Sequence, residues 1–407
     1  MLSKKNLFTS FVDQMIVSGG SFLTIVIGAH LLGLSDQGKL GYVLTAYTLT
    51  ILLNVALFIY AAPLVSSHTP YLSFYRHGLQ IAQIIWAILL AAIIAAGFSG
   101  YGSSIGWEIS AQEAVLLWLF LAAQQTSDYC RRASYVFQDA AAACKVSMVT
   151  LGLRIVLLLL VRPADLSGVL IVLIASALVG ASPTLFHTFS TEHESIALSQ
   201  VKALAREHLH LSRWSVLQAL FNWIAFLQAF VLGYFYSAES VAILVSIRSI
   251  GNAANVLLEQ LETIVPVWFA HLAGKIGLAE LKFSTGRLLV IGIGIWFLGV
   301  LLILVFGKLA IRLILGDRFE PYSYILLIAW FGNGIYFVNR VAGLYWRAQK
   351  NVKAEFFGSL GGLVFFIGSV PIIAMYGLEG AAWGYVLVPI GTATAQYLYA
   401  RSRKFVV

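Results

Sequence analysis

Five polar residues recur at helical spacing inside an otherwise apolar segment between Glu239 and Leu272. They are Arg248, Asn252, Asn255, Glu259 and Glu262. Intervals of four, three, four and three residues place all of them on one face of one helix. A charged side chain at the centre of a bilayer costs about 2.5 to 3.5 kcal/mol on insertion scales, so lipid does not cover this face. The pattern predicts a face directed at a water-filled cavity or at charged partners, as in a transport pathway.

Arginine residues in this setting suit a phosphorylated ligand, because the planar guanidinium binds phosphate oxygens through two N–H donors. Arg248 and Arg340 lie deep in predicted membrane spans and are the candidate headgroup contacts. The alternative is that each neutralises a carboxylate between packed helices. Arg154 is a third candidate, but it stands alone on a Leu-rich face, which favours structural pairing over ligand contact.

Glu259 and Glu262 are candidates for coupling to a proton or another cation. A carboxylate held away from water can change its charge state during a transport cycle. A salt bridge to a neighbouring helix is the alternative for each.

A second polar stripe lies on the fourth predicted span at the same helical spacing. It consists of Gln124, Asp128, Arg131, Tyr135 and Gln138. Asp128 can pair with Arg131 or Arg132 on its own helix, which would form a structural latch near the inner mouth. The alternative is a gating ion pair that reaches Asp13.

A third polar face begins in the first span at Asp13 and Gln14 and continues through Ser18 and Ser21. Lining of a cavity is favoured for this face, and close helix packing through its small residues is the alternative. The four-residue spacing of Gln14 and Ser18 recurs in the seventh span. There it is formed by Gln218 and Asn222.

The elements that position these residues are membrane helices. The chain has 407 residues, of which 60% are hydrophobic and 11% charged, and its mean hydropathy is +0.87. Apolar runs of roughly 20 residues predict about twelve spans. Their approximate limits are 7–33, 38–65, 79–100, 112–135, 142–161, 167–189, 214–236, 239–272, 287–312, 322–347, 354–376 and 380–400. The sequence therefore predicts an all-α membrane protein.

The spans fall into two six-helix lobes, which we expect to surround a central cavity. Residues 1–190 form the predicted N-terminal lobe and residues 214–407 the C-terminal lobe. Between them, residues 191–213 mix charged and apolar side chains in the pattern of an amphipathic helix on the inner membrane surface. Lys and Arg are concentrated in alternate loops, which predicts cytoplasmic positions for both termini.

Composition and motifs argue against several other classes of protein. The net charge of +8 comes from basic residues dispersed over loops, which does not indicate nucleic-acid binding. The two cysteines, Cys130 and Cys144, provide no disulfide framework. No phosphate-binding loop, nucleotide fingerprint or zinc-ligand spacing occurs, so neither ATP hydrolysis nor a metal centre is expected.

Short motifs along the whole chain resemble those of one transporter family. They are Asp13-Gln14, Ser18–Phe22, Ala29–Gly33, Leu315–Phe319 and Tyr376–Ala382. In this order, they are similar to the Wzx-like polysaccharide repeat-unit flippases of the multidrug/oligosaccharidyl-lipid/polysaccharide exporter superfamily. The chain departs from that family at His30, where an Arg is usual, so a fixed positive charge at that position is not carried over.

The resemblance implies a transporter rather than an enzyme, one that moves a lipid-linked oligosaccharide across the bacterial inner membrane by alternating access. The usual carrier is undecaprenyl pyrophosphate, and surface polysaccharides such as O-antigen are the product. Arg side chains would contact the pyrophosphate, and the polar residues of the stripes would contact the sugars. The implied partners are the substrate, membrane lipids, a polysaccharide polymerase and chain-length proteins. No cofactor is expected, and a proton, a sodium ion or the membrane potential would drive transport.

Two other functions remain open from the residues. A cation-coupled multidrug antiporter of the same superfamily would use Glu259, Glu262 and Asp13 instead of the arginines. A membrane polymerase or ligase acting on lipid-linked glycans would need reactive groups at the outer face. The longest predicted outer loops, 101–111 and 308–321, are short for such a site.

Overall fold

Thirteen α-helices build the part of the chain that the computed structural model describes, residues 4–66, 69–104, 107, 109–137, 139–190, 197–224, 227–252, 278–348 and 353–402. In chain order they are α1 Lys4–Leu31, α2 Leu34–Asn54, α3 Ala62–Ser66, α4 Leu72–Ser104, α5 Ala111–Val136, α6 Ala140–Val161, α7 Leu166–Ser190, α8 Leu198–Ile224, α9 Gln228–Phe235, α10 Ala238–Asn252, α11 Leu278–Leu315, α12 Tyr324–Ala348 and α13 Lys353–Ser402. A π-helical turn, Val55–Ile59, follows α2, and a 3-10 turn, Asp317–Tyr322, precedes α12.

Within these residues, nine helices are long and apolar enough to cross a membrane. One of them, α13, is broken at Gly377 and therefore supplies two spans. Two further helices coincide with predicted spans. The 26 residues of α5 carry four charged side chains, and α10 is the described start of the predicted span 239–272. The protein is therefore an all-α, multi-pass membrane protein, in agreement with the prediction of about twelve spans.

Local signals in the sequence set several helix ends. At the start of α5, the Ser110 hydroxyl accepts from the Glu113 amide while the Glu113 carboxylate accepts from the Ser110 amide, which is a complete capping box. At the start of α6, the Asp139 side chain accepts a hydrogen bond from the Ala142 amide, which is a single N-cap contact. Gly377 breaks α13 with φ of 56°, a conformation that glycine adopts without steric cost.

The helices form two compact units. The first contains residues 1–36 and 42–223, and the second contains residues 37–41 and 224–407. In the first unit, α5 packs against α4, α6 and α7, and α1 packs against α6. In the second, α12 packs against α10, α11 and α13, and α9 packs against α13.

Helix limits differ from the sequence prediction in two places. Span 38–65 is not one α-helix, because the π-turn interrupts it before α3. The helix α8 begins earlier than the predicted span, at Leu198, whereas the segment that is apolar enough to cross a membrane begins at Ser215, in agreement with the predicted span 214–236. Pro63, in the first turn of α3, marks the first of these changes, because proline lacks an N–H donor and its ring clashes with the carbonyl four residues earlier.

Glycines allow the closest helix contacts of the second unit. A Cβ on Gly361 would lie 2.3 Å from the carbonyl oxygen of Gly391, and a Cβ on Gly391 would lie 2.6 Å from that of Gly361. The two halves of α13 therefore pack backbone to backbone, as small residues permit in membranes. Gly368, on the same helix, has open space around its Cβ position.

We predict that Gly361→Ala lowers the free energy of unfolding by about 1 to 3 kcal/mol, because the new methyl group must displace backbone rather than a side chain. Thermal unfolding of the purified protein, followed by tryptophan fluorescence, measures this. Gly368→Ala is the matched control and should leave stability unchanged or raise it by up to about 1 kcal/mol. Equal effects of the two substitutions would refute the close contact.

The amphipathic helix α8 is anchored to the first unit by a buried histidine. The Nε2–H of His208 donates to the carbonyl of Leu57 in the π-turn at 2.6 Å, and its Nδ1 accepts from the Tyr75 hydroxyl at 2.7 Å. A carbonyl can only accept, so Nε2 carries a proton, and in the neutral imidazole Nδ1 is then the acceptor for the Tyr75 hydroxyl. Burial lowers the pKa of His208 below its ordinary value. Leu204, one turn earlier, packs on the cluster that includes Phe58 and Tyr75.

We therefore predict that acid loosens α8. The unfolded chain binds a proton at His208 near pH 6.5 and the folded chain binds it at lower pH, so the stabilisation of this helix decreases as the pH falls below about 6.5. Amide hydrogen exchange in α8, corrected for the intrinsic pH effect, should be faster at pH 5.5 than at pH 7.5. His208→Gln should remove the pH dependence, whereas His210→Gln, at an exposed position, should retain it. The same response in both variants would exclude His208 as the cause.

Candidate functional site

Arg131 on α5 joins two carboxylates from different helices inside the first unit. Its Nη1 lies 2.8 Å from Oδ2 of Asp13 on α1, and its Nη2 lies 3.0 Å from Oδ1 of Asp128 on α5. Arg132 donates from Nε to the other Asp128 oxygen at 2.7 Å. The hydroxyl of Ser147 on α6 donates to Oδ1 of Asp13. Three helices therefore meet at one ion-pair network.

Burial makes this network energetically important. The side chains of Asp13, Asp128 and Arg131 are 1%, 7% and 7% exposed, whereas Arg132 is 35% exposed. Removing one partner of a buried ion pair leaves an uncompensated charge, at a cost of about 3 to 5 kcal/mol. The predicted latch within α5 and the predicted link to Asp13 are both present, because Arg131 makes both contacts. Their roles in gating or coupling stay predictions.

A polar cavity of about 70 Å³ adjoins the network within the same unit. Its walls come from α1, α2, α5 and α6. They are Ile16, Val17, Gly20, Ser21, Tyr47, Gln124, Ser127, Asp128, Arg131, Val146, Ser147, Thr150, Leu151 and Arg154. The volume is enough for about two water molecules. Polar side chains from two predicted polar faces, those of spans 1 and 4, are thus brought together here with Arg154.

Arg154 lies on the cavity wall, and it takes part in no ion pair with another described residue. The expected structural pairing with a carboxylate is therefore not observed in the described part of the chain.

The predicted residues Gln14 and Ser18 lie one helical turn apart on α1, and the Gln14 amide donates to the Ser18 hydroxyl at 3.4 Å. Both side chains are half-buried.

The predicted residues of the second unit lie on α10 and α12, which pack together. The Arg248 guanidinium stacks on the Tyr385 ring with its Cζ 3.7 Å from the ring centroid. The Arg340 guanidinium lies 4.6 Å from the centroid of Tyr336 and donates to its hydroxyl. Asn252 is half-buried near the end of α10. Each arginine is thus fixed against an aromatic ring.

The remaining candidates divide into two groups. Gln218 is half-buried and Asn222 is exposed, both on the C-terminal half of α8. Asn255, Glu259 and Glu262 lie outside the described residues.

Sequence reasoning missed two polar residues of the first unit's cavity, Ser147 and Thr150, which lie on the same helix as the candidate Arg154. Ser147, Thr150 and Arg154 follow one face of α6 at helical spacing, a signal that was present but weak because two of the three are short hydroxyl residues. Tyr47 on α2 gave no signal, because one tyrosine in an apolar helix is more often packing or interface. A buried carboxylate in the second unit, Glu355 on α13, was missed as well.

Several solved structures of transporters resemble this chain. A mutant of the Vibrio cholerae MATE transporter VcmN has a TM-score of 0.65 at 15% identity, covering 98% of this chain and 97% of its own. An inward-facing multidrug resistance MATE family transporter of the MOP superfamily has a TM-score of 0.67 at 16% identity, covering 98% and 94%. The lipid II flippase MurJ, in an inward closed conformation, has a TM-score of 0.68 at 14% identity, covering 98% and 88%.

No protein-family model and no curated protein sequence matches the chain. The structural matches extend over nearly the whole chain, so the protein has the fold shared by MATE transporters and MurJ.

We predict that Arg131→Gln lowers the free energy of unfolding by about 3 to 5 kcal/mol, because two buried carboxylates lose their shared cation. Arg132→Gln is the matched control and should cost at most about 1 kcal/mol, since Arg132 is partly solvated. Thermal unfolding of the purified variants measures both. Adding Asp13→Asn to Arg131→Gln should recover part of the loss, because the two residues are coupled. Additive losses in the double variant would contradict the network.

Proposed function

We propose that the protein is a flippase that moves a polyprenyl-pyrophosphate-linked oligosaccharide from the inner to the outer leaflet of the bacterial cytoplasmic membrane. The product would be used in surface polysaccharide biosynthesis. The fold supports a transporter, because its structural neighbours include both drug transporters and a lipid flippase. An anionic, lipid-linked cargo is the more specific part of the proposal.

The observation that carries this part is the pair of aromatic-backed arginines in the second unit. Tyr385 covers one face of the Arg248 guanidinium, and Tyr336 holds Arg340. Arginine suits an anionic cargo, because its planar guanidinium offers five N–H donors and can bind phosphate oxygens through two of them at once. Drug cations would be repelled by such groups, whereas a pyrophosphate would be attracted.

The membrane potential would assist this transport. With the inside negative, outward movement of an anionic group gains about 2.3 kcal/mol per charge for each 100 mV. A cationic site that moves with the cargo reduces that gain by its own charge. A coupling proton or sodium ion therefore stays in the proposal, and Asp13, Asp128 and Arg131 are the residues through which it would act.

The second candidate function is a cation-coupled multidrug antiporter. It is favoured by the buried carboxylates of the ion-pair network, where protonation of Asp13 would release Arg131 and Ser147. In this case the carboxylates, with Glu259 and Glu262, would perform the coupling, and the arginines of the second unit would be dispensable. The two functions therefore make opposite demands on the arginines.

In this proposal the cargo is moved without chemical conversion, and the two lobes open alternately to the inner and the outer side. We expect both termini to be cytoplasmic, and we expect a polysaccharide polymerase and chain-length proteins to act on the exported product. Membrane lipids contact the apolar outer surface of the helices.

We predict that Arg248→Ala and Arg340→Ala each reduce flipping at least tenfold. A lost charged hydrogen bond is worth about 1.5 to 3 kcal/mol, and each 1.4 kcal/mol is a factor of about ten in rate. The measurement is protection of a fluorescent, undecaprenyl-pyrophosphate-linked oligosaccharide from an external quencher in proteoliposomes.

Arg287→Ala, at an exposed position on α11, is the control for general effects of charge removal. Normal flipping by both Arg248→Ala and Arg340→Ala would reject the assignment of these arginines to the headgroup. Drug efflux that survives both arginine variants and is lost in Asp13→Asn would establish the antiporter instead.

A further inference from the structure

Arg154 lies in an environment that leaves its charge without a counter-ion. It is fourteen residues into the 22-residue helix α6 and lines the polar cavity of the first unit. Its Nε is buried and has no hydrogen-bond partner in the described residues. Four residues earlier on the same helix, the Thr150 hydroxyl is also buried without a partner.

An arginine cannot relieve this situation by losing its proton, because the guanidinium remains charged at any pH a protein experiences. The effective cost of burying one unpaired ion is several kcal/mol even after relaxation. Arg154 is half-buried, so water offsets part of this cost, and a nearby negative charge would offset the remainder.

The carboxylates of the cavity do not supply that charge. Asp13 is bound by Arg131 and Ser147, and Asp128 is bound by Arg131 and Arg132. These contacts pair two carboxylates with two guanidinium groups and leave Arg154 as an additional positive charge. In the described part of the chain, the cavity therefore carries one cation in excess.

The size and the lining of the cavity decide which anion fits. At about 70 Å³ the cavity holds two water-sized groups, which is room for one monovalent inorganic anion and a water molecule. Besides Arg154, the Thr150 and Tyr47 hydroxyls on its wall offer O–H donors.

We propose that this cavity is a binding site for a small monovalent anion such as chloride, held by Arg154 and Thr150. The bound anion neutralises Arg154 and thereby stabilises the packing of α1, α2, α5 and α6 around the ion-pair network. The site lies within the first unit, so the proposal is independent of the flippase function and of the arginines of the second unit.

The test is a thermal-unfolding titration of the full-length protein in detergent, with sodium chloride replacing sodium gluconate at constant ionic strength. A ligand that binds only the folded state stabilises it as its concentration exceeds the dissociation constant, so chloride should raise the Tm by about 2 °C or more. Arg154→Gln should lose this chloride response. Arg162→Gln, at the exposed end of the same helix, should keep it.

Two further arms make the outcome decisive. Crystals soaked in bromide should show an anomalous peak beside the Arg154 guanidinium of the wild-type protein, which decides the matter even if Arg154→Gln does not fold. Inorganic pyrophosphate at matched ionic strength should give no Arg154-dependent shift. An equal chloride response in wild type and Arg154→Gln, an empty cavity in bromide, or stabilisation by pyrophosphate in place of chloride would each overturn the proposal.

Discussion

Charge buried between membrane helices has to be neutralised inside the protein, and Arg131 is the centre of that neutralisation in the first unit. It is bonded to Asp13 on α1 and to Asp128 on its own helix, while Ser147 fixes Asp13 from α6. Because the three charged side chains are almost fully buried, the position of each helix depends on the other two. A proton or cation that reaches Asp13 would change contacts on all three helices at once, which is why we place coupling here.

The second unit handles its charges differently. Arg248 and Arg340 are held by aromatic rings, on α13 and on α12. A cation–π contact orients a guanidinium and is worth about 0.5 to 2 kcal/mol. The proposed division therefore assigns permanent ion pairing to the first unit and cargo contact to the second.

Sequence patterns predicted the local features of this arrangement, and the long-range features required the structure. The spacing of Asp128, Arg131 and Arg132 was sufficient to predict pairing on one helix turn. The link from Arg131 to Asp13 spans 118 positions, and periodicity contains no distances between helices. Pro63 marks the interruption of the second span, whereas the hydrogen bonds of His208 were missed, because they depend on tertiary contacts.

We propose that the polar face of α10, which carries Arg248 and Asn252, meets water rather than lipid or dry helix contacts. The most direct test is cysteine accessibility in a background with Cys130→Ala and Cys144→Ala. Asn252→Cys on α10 and the exposed, apolar Leu302→Cys on α11 are treated with a membrane-impermeant maleimide in intact membranes. The account predicts rapid labelling at residue 252 and none at residue 302. Equal inertness of both positions would contradict it.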